Sequence, residues 1–280
     1  MKVASQRGLT RFQNSVLAWR RRIRHRVATT IQISDTLTTA EFRCGSAIEE
    51  RRAVSLFHKE AGTVSWLRNS LKAGQVFVDV GANMGLYTVL AAQLVGPDGK
   101  VFAFEPHAVN FSSLMENIAL NGLEEICFPI SSALSNQAEF LPFHYASLTA
   151  GSSMSQLGRT VDPDGNPVDR SVSEIKSATS LDQLVDSGLV DSPHHIKIDV
   201  DGIEADIVEG MQNLLTNGTP PLTVQVEIQP DTRLEVMAMM EKSGFTIDHC
   251  HHTEIGQKKM AEGLCPTEIT HNIVFARNNS

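Results

Sequence analysis

The chain has 280 residues, of which 41% are hydrophobic and 20% are charged, and its formal net charge is −8. This composition predicts an ordinary soluble globular protein with one large domain, or with a domain and an appendage. No apolar run is long enough to span a bilayer, which excludes a membrane-spanning helix. Four cysteines lie far apart without a Cys-x-x-Cys pair, so we expect free thiols in a reduced, cytoplasmic protein.

Charge is distributed unevenly along the chain. The first 34 residues carry eight Lys or Arg and no acid, so all 32 acidic residues follow them. An acidic body argues against nucleic-acid binding by the main domain. We predict a basic arm over residues 1–50, partly helical or flexible, and a main domain over residues 51–280. Apolar residues recur at helical spacing within residues 7–27, which favours contact with an anionic membrane surface or a partner. A transit peptide and a solvated helix remain alternatives.

The first half of the predicted domain alternates strands and helices. We expect strand and loop over residues 35–60. The elements predicted next are a helix over 63–71, a strand over 76–80, a helix over 86–95, a strand over 100–104, a helix over 108–120 and a strand over 126–130. This order predicts an α/β fold with a parallel sheet and right-handed crossovers.

The order then breaks at a segment over residues 135–175. An extra strand is predicted over 138–145, and the polar stretch over 146–175 is predicted to be a substrate-side loop. The elements predicted after it are a helix over 180–185, a strand over 195–200, a helix over 203–215, a strand over 222–228, a helix over 231–242 capped by Asp231, and strands over 245–249 and 273–276. Residues 250–270 are expected to be irregular.

A glycine turn, Gly81-Ala-Asn-Met-Gly85, follows the apolar strand over 76–80. Its glycines allow the backbone to approach a ligand closely. The turn lacks the third glycine that a pyrophosphate requires, so it favours a nucleoside cofactor such as S-adenosylmethionine over a dinucleotide. Glu105 ends the next strand, where an acid can accept hydrogen bonds from ribose hydroxyls. A purely structural turn is the alternative.

Three charged residues follow on later strands. Lys197 and Asp199 lie on the same face of a strand, where two buried charges are costly unless they pair with each other or bind a ligand. A buried ion pair without a role in binding is the alternative. Glu227 reaches the same rim from the next strand. The cluster from His249 to His252 matches no standard zinc spacing, so we predict loop histidines and no metal site.

Several blocks together resemble the FkbM-type methyltransferases. They are Phe77 to Tyr87, Phe104-Glu-Pro106, Asn117 to Gly122, Thr179 to Asp182, Ile196 to Glu204, Val226 to Ile228 and His271 to Val274. The resemblance covers residues 60–277 and implies a class I, Rossmann-like fold: a seven-stranded, mostly parallel sheet with helices on both faces and an antiparallel last strand. It also implies S-adenosylmethionine-dependent O-methylation of a hydroxyl on a sugar, a glycolipid or a secondary metabolite. Asp201 stands where the family usually has Glu.

The predicted site follows from the motifs and this resemblance. The residues predicted to bind the cofactor are Asp79, Gly81, Ala82, Asn83, Gly85, Tyr87, Glu105, Pro106, Asn110 and Asp199. Asp199 is the first candidate for a general base and Glu227 the second, while Lys197 either orients Asp199 or lowers its pKa. The partner is predicted to be a small-molecule or glycan acceptor. A non-catalytic adaptor that docks through the basic arm is one alternative, and an NAD-dependent oxidoreductase is a weaker one.

Overall fold

The computed structural model describes residues 28–35, 38–159, 161, 167, 172–217 and 221–277. Residues 7–27 of the predicted arm, with their predicted membrane or partner contact, lie outside the described residues. Within the described ranges, no helix combines the length and the apolar character needed to cross a membrane.

The described elements follow one another in this order. The first four are β1 (Thr29–Ser34), β2 (Thr39–Cys44), α1 (Ala47–Lys59) and α2 (Ala61–Ser70). The next group is β3 (Val76–Val80), α3 (Leu86–Val95), β4 (Lys100–Phe104), α4 (Ala108–Leu120) and β5 (Cys127–Ile130). Then come β6 (Ala133–Leu134), β7 (Glu139–His144), β8 (Gln156–Leu157), β9 (Ser173–Thr179), α5 (Leu181–Asp186) and β10 (His195–Ile198). The last are α6 (Glu204–Glu209), α7 (Gln212–Thr216), β11 (Thr223–Ile228), α8 (Arg233–Lys242), β12 (Phe245–His251), α9 (Glu254–Ala261) and β13 (His271–Arg277).

Seven strands form the central sheet, in the order β12-β13-β11-β10-β3-β4-β5. Neighbouring strands are parallel from β11 to β5, whereas β13 is antiparallel to both β11 and β12. The predicted fold class is therefore confirmed, including its antiparallel last strand. The chain moves outward from β3 through β4 to β5 and then returns to the other side of β3 at β10. Open α/β sheets bind ligands at such a reversal, beside the carboxyl ends of the strands.

Alternating side chains on the central strands divide the core into two layers. Phe77 on β3 packs with residues of α2, α3 and α4, whereas Val78 packs with residues of α5 to α8 on the opposite face. Asp79 shares the face of Phe77 and is completely buried. A carboxylate in this position requires partners inside the core, and the site described below contains them.

A second sheet, in the order β6-β9-β7-β8, contributes to one wall of the cleft. Strand β7 confirms the extra strand predicted over 138–145. Strand β9 falls at the end of the segment that we expected to be a loop, and it pairs antiparallel with β7. Its sequence is largely polar and Ala178 is its one fully buried residue, so the apolar alternation that marks a strand is missing.

The structure also differs from the prediction before residue 60. Strand β2 agrees with the strand expected over residues 35–60, but the 13-residue helix α1 lies where we expected a loop. Ser46 caps α1, because its hydroxyl accepts the backbone N–H of Glu49 at 3.1 Å and Glu49 accepts the N–H of Gly45 at 2.7 Å. Phe42 and Cys44 are fully buried in the core. Residues 39–50 therefore belong to the folded domain, ahead of the boundary that we predicted at residue 50.

Three further differences lie in the second half of the chain. The helix predicted over 203–215 is two helices, α6 and α7, which are separated at Gly210. Thr232, not Asp231, stands at the N-cap of α8, and Asp231 instead accepts the backbone N–H of Thr232 at 3.0 Å. Helix α9 lies within the interval 250–270 that we expected to be irregular. The side chain of Thr253 caps α9 by accepting the N–H of Gly256 at 3.2 Å, a local signal that could have located this helix.

Candidate active site

The glycine turn lies between the carboxyl ends of β3, β4 and β10. Gly81 has a φ of +80°, and a Cβ at this position would collide with the carbonyl oxygen of Asp199. The backbone N–H groups of Gly81 and Ala82 both donate to the carbonyl of Phe104 at 3.0 Å. Gly85, with a φ of +89°, stands at the N-cap of α3. The turn is therefore fixed to its neighbouring strands, and the beginning of α3 faces the cleft.

Glu105 lies next to this turn and is 5% exposed. Its two carboxylate oxygens accept the backbone N–H groups of Asn83 at 2.7 Å and of His107 at 2.8 Å. Burial raises the pKa of Glu105 to about 7, although the two N–H groups act in the opposite direction. The carboxylate is thereby held at the end of β4, with lone pairs left to accept further hydrogen bonds.

A loop over residues 147–155 lies across this part of the cleft. The side-chain amide of Asn110 donates to the carbonyl of Ser152 at 2.9 Å and accepts the N–H of Gly151 at 2.8 Å. The amide of Asn83 donates to the same carbonyl at 3.1 Å. Asp201 accepts the N–H of Met154 from the opposite side of the cleft. Asn83 and Asn110 therefore hold the loop in place while they line the cleft.

A buried lysine joins the two aspartates at the base of the cleft. The ammonium of Lys197 lies 3.4 Å from Asp79 Oδ1 and 3.0 Å from Asp199 Oδ2, and it lies 4.9 Å from the centre of the Tyr87 ring. Thr88 donates its hydroxyl to the other oxygen of Asp79 at 2.7 Å. Asp79 is completely buried, whereas 29% of the Asp199 side chain is exposed. Asp199 is therefore the member of this cluster that faces the cleft.

The electrostatics of the cluster favour an ionised Asp199. Burial would raise the pKa of Asp199, but Lys197 outweighs it and the pKa falls below its usual value. Burial would likewise lower the pKa of Lys197, but Asp199 and Asp79 raise it. The sequence left open whether Lys197 orients Asp199 or lowers its pKa. The contact at 3.0 Å does both.

Glu227, the second candidate for a base, lies on β11. Burial, followed by the negative charges of Asp199 and Glu60, raises the pKa of Glu227 well above its usual value. Glu227 does not line the cleft. Of the two candidate bases, Asp199 is the one that lines the cleft.

The cleft encloses about 1080 Å³, counting the space that opens to solvent at its mouth. The predicted residues that line it are Gly81, Ala82, Asn83, Tyr87, Glu105, Pro106, Asn110 and Asp199. Asp79, Gly85, Lys197 and Glu227 are not among the lining residues. Asp79 was predicted to bind the cofactor directly, but the structure places it beneath the floor, where it holds Lys197.

Helix α1 forms the opposite wall, which the sequence analysis missed. Arg52, Ser55 and Lys59 line the cleft from three successive turns of this helix. Glu60 follows them and accepts the hydroxyl of Tyr87 at 2.8 Å. The capping pattern from Ser46 to Glu49 is the signal that could have located the beginning of α1.

The histidines of residues 249–252 lie elsewhere, along and just beyond β12. His251 contacts the hydroxyl of Thr63 at 3.1 Å, and the rings of His252 and His271 are 4.9 Å apart. His249 is exposed, as expected, but His249 and His251 lie on β12 and not in a loop. Among the residues that the structure describes, no group of three or more His, Cys, Asp or Glu side chains is arranged to hold a metal ion.

Fold and site together define a class I, Rossmann-like protein with a nucleoside-cofactor cleft at the end of β3 and β4. The methyltransferase FkbM domain matches residues 79–247, which is more than half of the chain. The chain belongs to this family. Membership confirms the family that the sequence motifs resemble, and S-adenosylmethionine as the cofactor. It also sets aside the NAD-dependent oxidoreductase.

Two curated relatives carry methyltransferase names. The chain is 26% identical to the hexuronic acid methyltransferase AglP of Haloferax volcanii, over 60% of this chain and 63% of that protein. It is also 26% identical to the methyltransferase sdnD of Sordaria araneosa, over 64% of this chain and 76% of that protein. The chain thus spans less than two thirds of the length of the Haloferax protein.

Solved structures of methyltransferases are similar at a lower level. The methyltransferase FkbM from Methylobacillus flagellatus KT is 14% identical, with a TM-score of 0.45, over 82% of this chain and 55% of that chain. A SAM-dependent O-methyltransferase from Thermotoga maritima is 13% identical, with a TM-score of 0.43, over 88% of this chain and 77% of that chain. Neither similarity is close enough to indicate the acceptor.

Proposed function

We propose that this protein is an S-adenosylmethionine-dependent methyltransferase that methylates a hydroxyl oxygen of a sugar, a glycolipid or a secondary metabolite. The observation that carries the proposal is the position of two carboxylates in one cleft. Glu105 stands where a ribose would lie, and Asp199 stands where an acceptor hydroxyl would approach.

The residues present fit the cofactor. Glu105 can accept both ribose hydroxyls, because each of its oxygens uses only one backbone hydrogen bond. At Gly81 the lack of a Cβ lets the turn pack directly against the backbone of Asp199. Gly81 and Asp199 therefore line the same part of the cleft, and the methionine part of the cofactor would lie on the surface that they form together. Apolar side chains of Phe143 and Leu157 from the second sheet supply a wall for the adenine.

The bound cofactor would supply an activated methyl group on a sulfonium. The work left to the protein is to position the acceptor oxygen in line with that methyl and to exclude water. The acceptor hydroxyl would lose its proton as it takes the methyl group, and Asp199 would accept that proton. Lys197 holds Asp199 ionised and fixes the direction of its carboxylate at 3.0 Å.

A sugar is the first acceptor class to test. The relative from Haloferax volcanii is named for methylation of a hexuronic acid, and Asp199 lines the cleft where a ring hydroxyl would approach. This assignment of the acceptor is part of the proposal.

A methyl-transfer screen tests the proposed function. The purified full chain is incubated with S-adenosylmethionine that carries a labelled methyl group and with fractions of glycans, lipids and small metabolites. We expect label in one class of hydroxyl compound with the wild-type protein and none with Asp199→Asn. Equal labelling by the two proteins would refute the role of Asp199, and no labelled product in any fraction would contradict the proposed activity.

The basic arm carries a separate proposal. Residues 7–27 would hold the enzyme at an anionic membrane surface or on a partner, which would bring the cleft close to a lipid-linked acceptor. This proposal is supported by the sequence of residues 7–27 alone. Co-sedimentation with anionic vesicles should be lost in a chain that begins at Ala28 and keeps β1, and equal binding by both chains would contradict it.

A further inference from the structure

Helix α1 presents a basic face to the cleft, and the proposed reaction gives this face no task. Arg52, Ser55 and Lys59 stand three or four residues apart and therefore lie on one side of the helix. Leu56 on the same side is 4% exposed, so this side of the helix packs against the domain. The helix is capped at Ser46, and Arg52 lies near its middle. The face is a fixed wall of the cleft.

Arg52 is the member of this face with unused donors. Its Nε donates to the carbonyl of Gly151 at 2.7 Å, which fixes the guanidinium beside the loop over residues 147–155. Among the described residues, no carboxylate oxygen lies within 4.0 Å of Arg52. Its charge adds to the effect of Lys197 in lowering the pKa of Asp199, and it opposes the rise in pKa that burial causes at Asp201. The guanidinium therefore acts on the part of the cleft where the acceptor would lie.

The acids of the cleft already have other partners. Glu105 is held by two backbone N–H groups, and Asp201 by the N–H of Met154. Asp199 pairs with Lys197, and Glu60 accepts the hydroxyl of Tyr87. Arg52 therefore lines the cleft without a carboxylate partner among the described residues.

We propose that Arg52, assisted by Lys59, binds an anionic group of the acceptor, so that the natural substrate is a hydroxyl compound that also carries a carboxylate or a phosphate. This inference rests on the proposed methyltransferase function. A guanidinium presents a planar set of donors that matches both anions in a bidentate way. The ammonium of Lys59 lies 3.5 Å from Glu60 and is 43% exposed at its side chain, so it adds charge at the mouth of the cleft.

The carboxylate of the cofactor itself is the competing ligand for Arg52. The cofactor carboxylate can instead bind at the beginning of α3, because the free backbone N–H groups next to Gly85 favour an anion. The two assignments differ in a measurable way. If Arg52 serves the acceptor, its loss leaves the affinity for the cofactor product almost unchanged.

The experiment uses the full chain saturated with S-adenosylhomocysteine. Calorimetry compares three probes: D-glucuronate, D-glucose 6-phosphate and D-glucose, which present a carboxylate, a phosphate and no charge. The variants are Arg52→Gln and, as a matched control, Arg51→Gln, which removes the same charge from the preceding residue of α1. Arg51 is exposed and does not line the cleft.

We expect one of the two anions to bind at least about tenfold more tightly than glucose, because a hydrogen bond to a charged group contributes that much or more. The anion that binds more tightly shows whether the acceptor carries a carboxylate or a phosphate. Arg52→Gln should remove this preference, whereas Arg51→Gln should change it less than about twofold, as expected of a solvent-screened surface charge. The thermal shift caused by S-adenosylhomocysteine shows that each variant is folded.

Three results would overturn the inference. They are no preference for either anion in the wild-type protein, equal effects of the two arginine variants, and a loss of S-adenosylhomocysteine affinity in Arg52→Gln as large as the loss of anion binding. Failure of the wild-type protein to bind S-adenosylhomocysteine would instead contradict the proposed function, and the inference would fall with it.

Discussion

The two halves of the cleft are built in different ways. The cofactor half consists of neighbouring residues at the ends of β3 and β4, from Gly81 to Glu105, fixed by backbone hydrogen bonds of 2.7–3.0 Å. The acceptor half combines α1 with the loop over residues 147–155, which are distant in sequence and meet through side chains such as Arg52 and the capping residue Ser46. A common cofactor thus has a rigid backbone site. The part of the cleft that meets the acceptor rests on side chains, which substitutions can change without altering the fold.

Asp199 lies at the boundary between these halves, and its replacement should have the largest effect. Asp199→Asn keeps the shape of the side chain but removes the proton acceptor, so turnover should fall by about 10²- to 10⁴-fold. Affinity for S-adenosylhomocysteine should change little by comparison, since the residue faces the acceptor. Steady-state kinetics with calorimetry separates the two effects, and full turnover in the variant would assign the proton to another group.

Gly81→Ala tests the rigidity of the cofactor half. The new Cβ would meet the carbonyl oxygen of Asp199, and the backbone there has a φ of +80°. Gly74→Ala is a matched control, because Gly74 has a φ of +79° and no atom lies within 4 Å of the position that its Cβ would take. Backbone strain should lower the free energy of unfolding of both variants by about 1–2 kcal/mol. Overpacking should lower that of Gly81→Ala by about 1–3 kcal/mol more. Chemical denaturation measures the free energy of unfolding of both variants. Equal losses would mean that the close approach of Gly81 to Asp199 does not affect stability.

Glu105→Gln tests the ribose contact. We expect S-adenosylhomocysteine to bind about 10- to 100-fold more weakly, because hydrogen bonds to a charged acceptor are replaced by weaker ones. Glu124→Gln is the control, since Glu124 is exposed and does not line the cleft. If both variants bind with wild-type affinity, the ribose does not lie at Glu105.

The pH dependence of cofactor binding should follow the same carboxyl. Burial raises the pKa of Glu105 to about 7, so the group is ionised above that pH and protonated below it. Affinity for S-adenosylhomocysteine should therefore decrease as the pH falls through 7, by at most about tenfold per pH unit. The decrease should disappear in Glu105→Gln. A flat profile in the wild-type protein would contradict this role of the raised pKa.

The same difference between the two halves explains which parts of the cleft could be predicted from the sequence. The cofactor half was predicted because its signals are local: an apolar strand, a glycine turn and an acid at the next strand end. The pairing of Lys197 with Asp199 followed from alternation along one strand. Arg52 and its helix were missed, although Ser46 and Glu49 carry a capping pattern. The contact between Asn110 and Ser152 joins residues 42 positions apart, and only the packing of α4 against the loop brings them together.

A calorimetric titration of the full chain with S-adenosylhomocysteine tests the central claim most directly. The account predicts saturable binding of one molecule per chain, with a rise in melting temperature as the ligand is added. It also predicts that Glu105→Gln weakens the binding while Glu124→Gln does not. Absence of both heat and thermal shift at millimolar ligand would contradict the assignment of this cleft to the methyl donor.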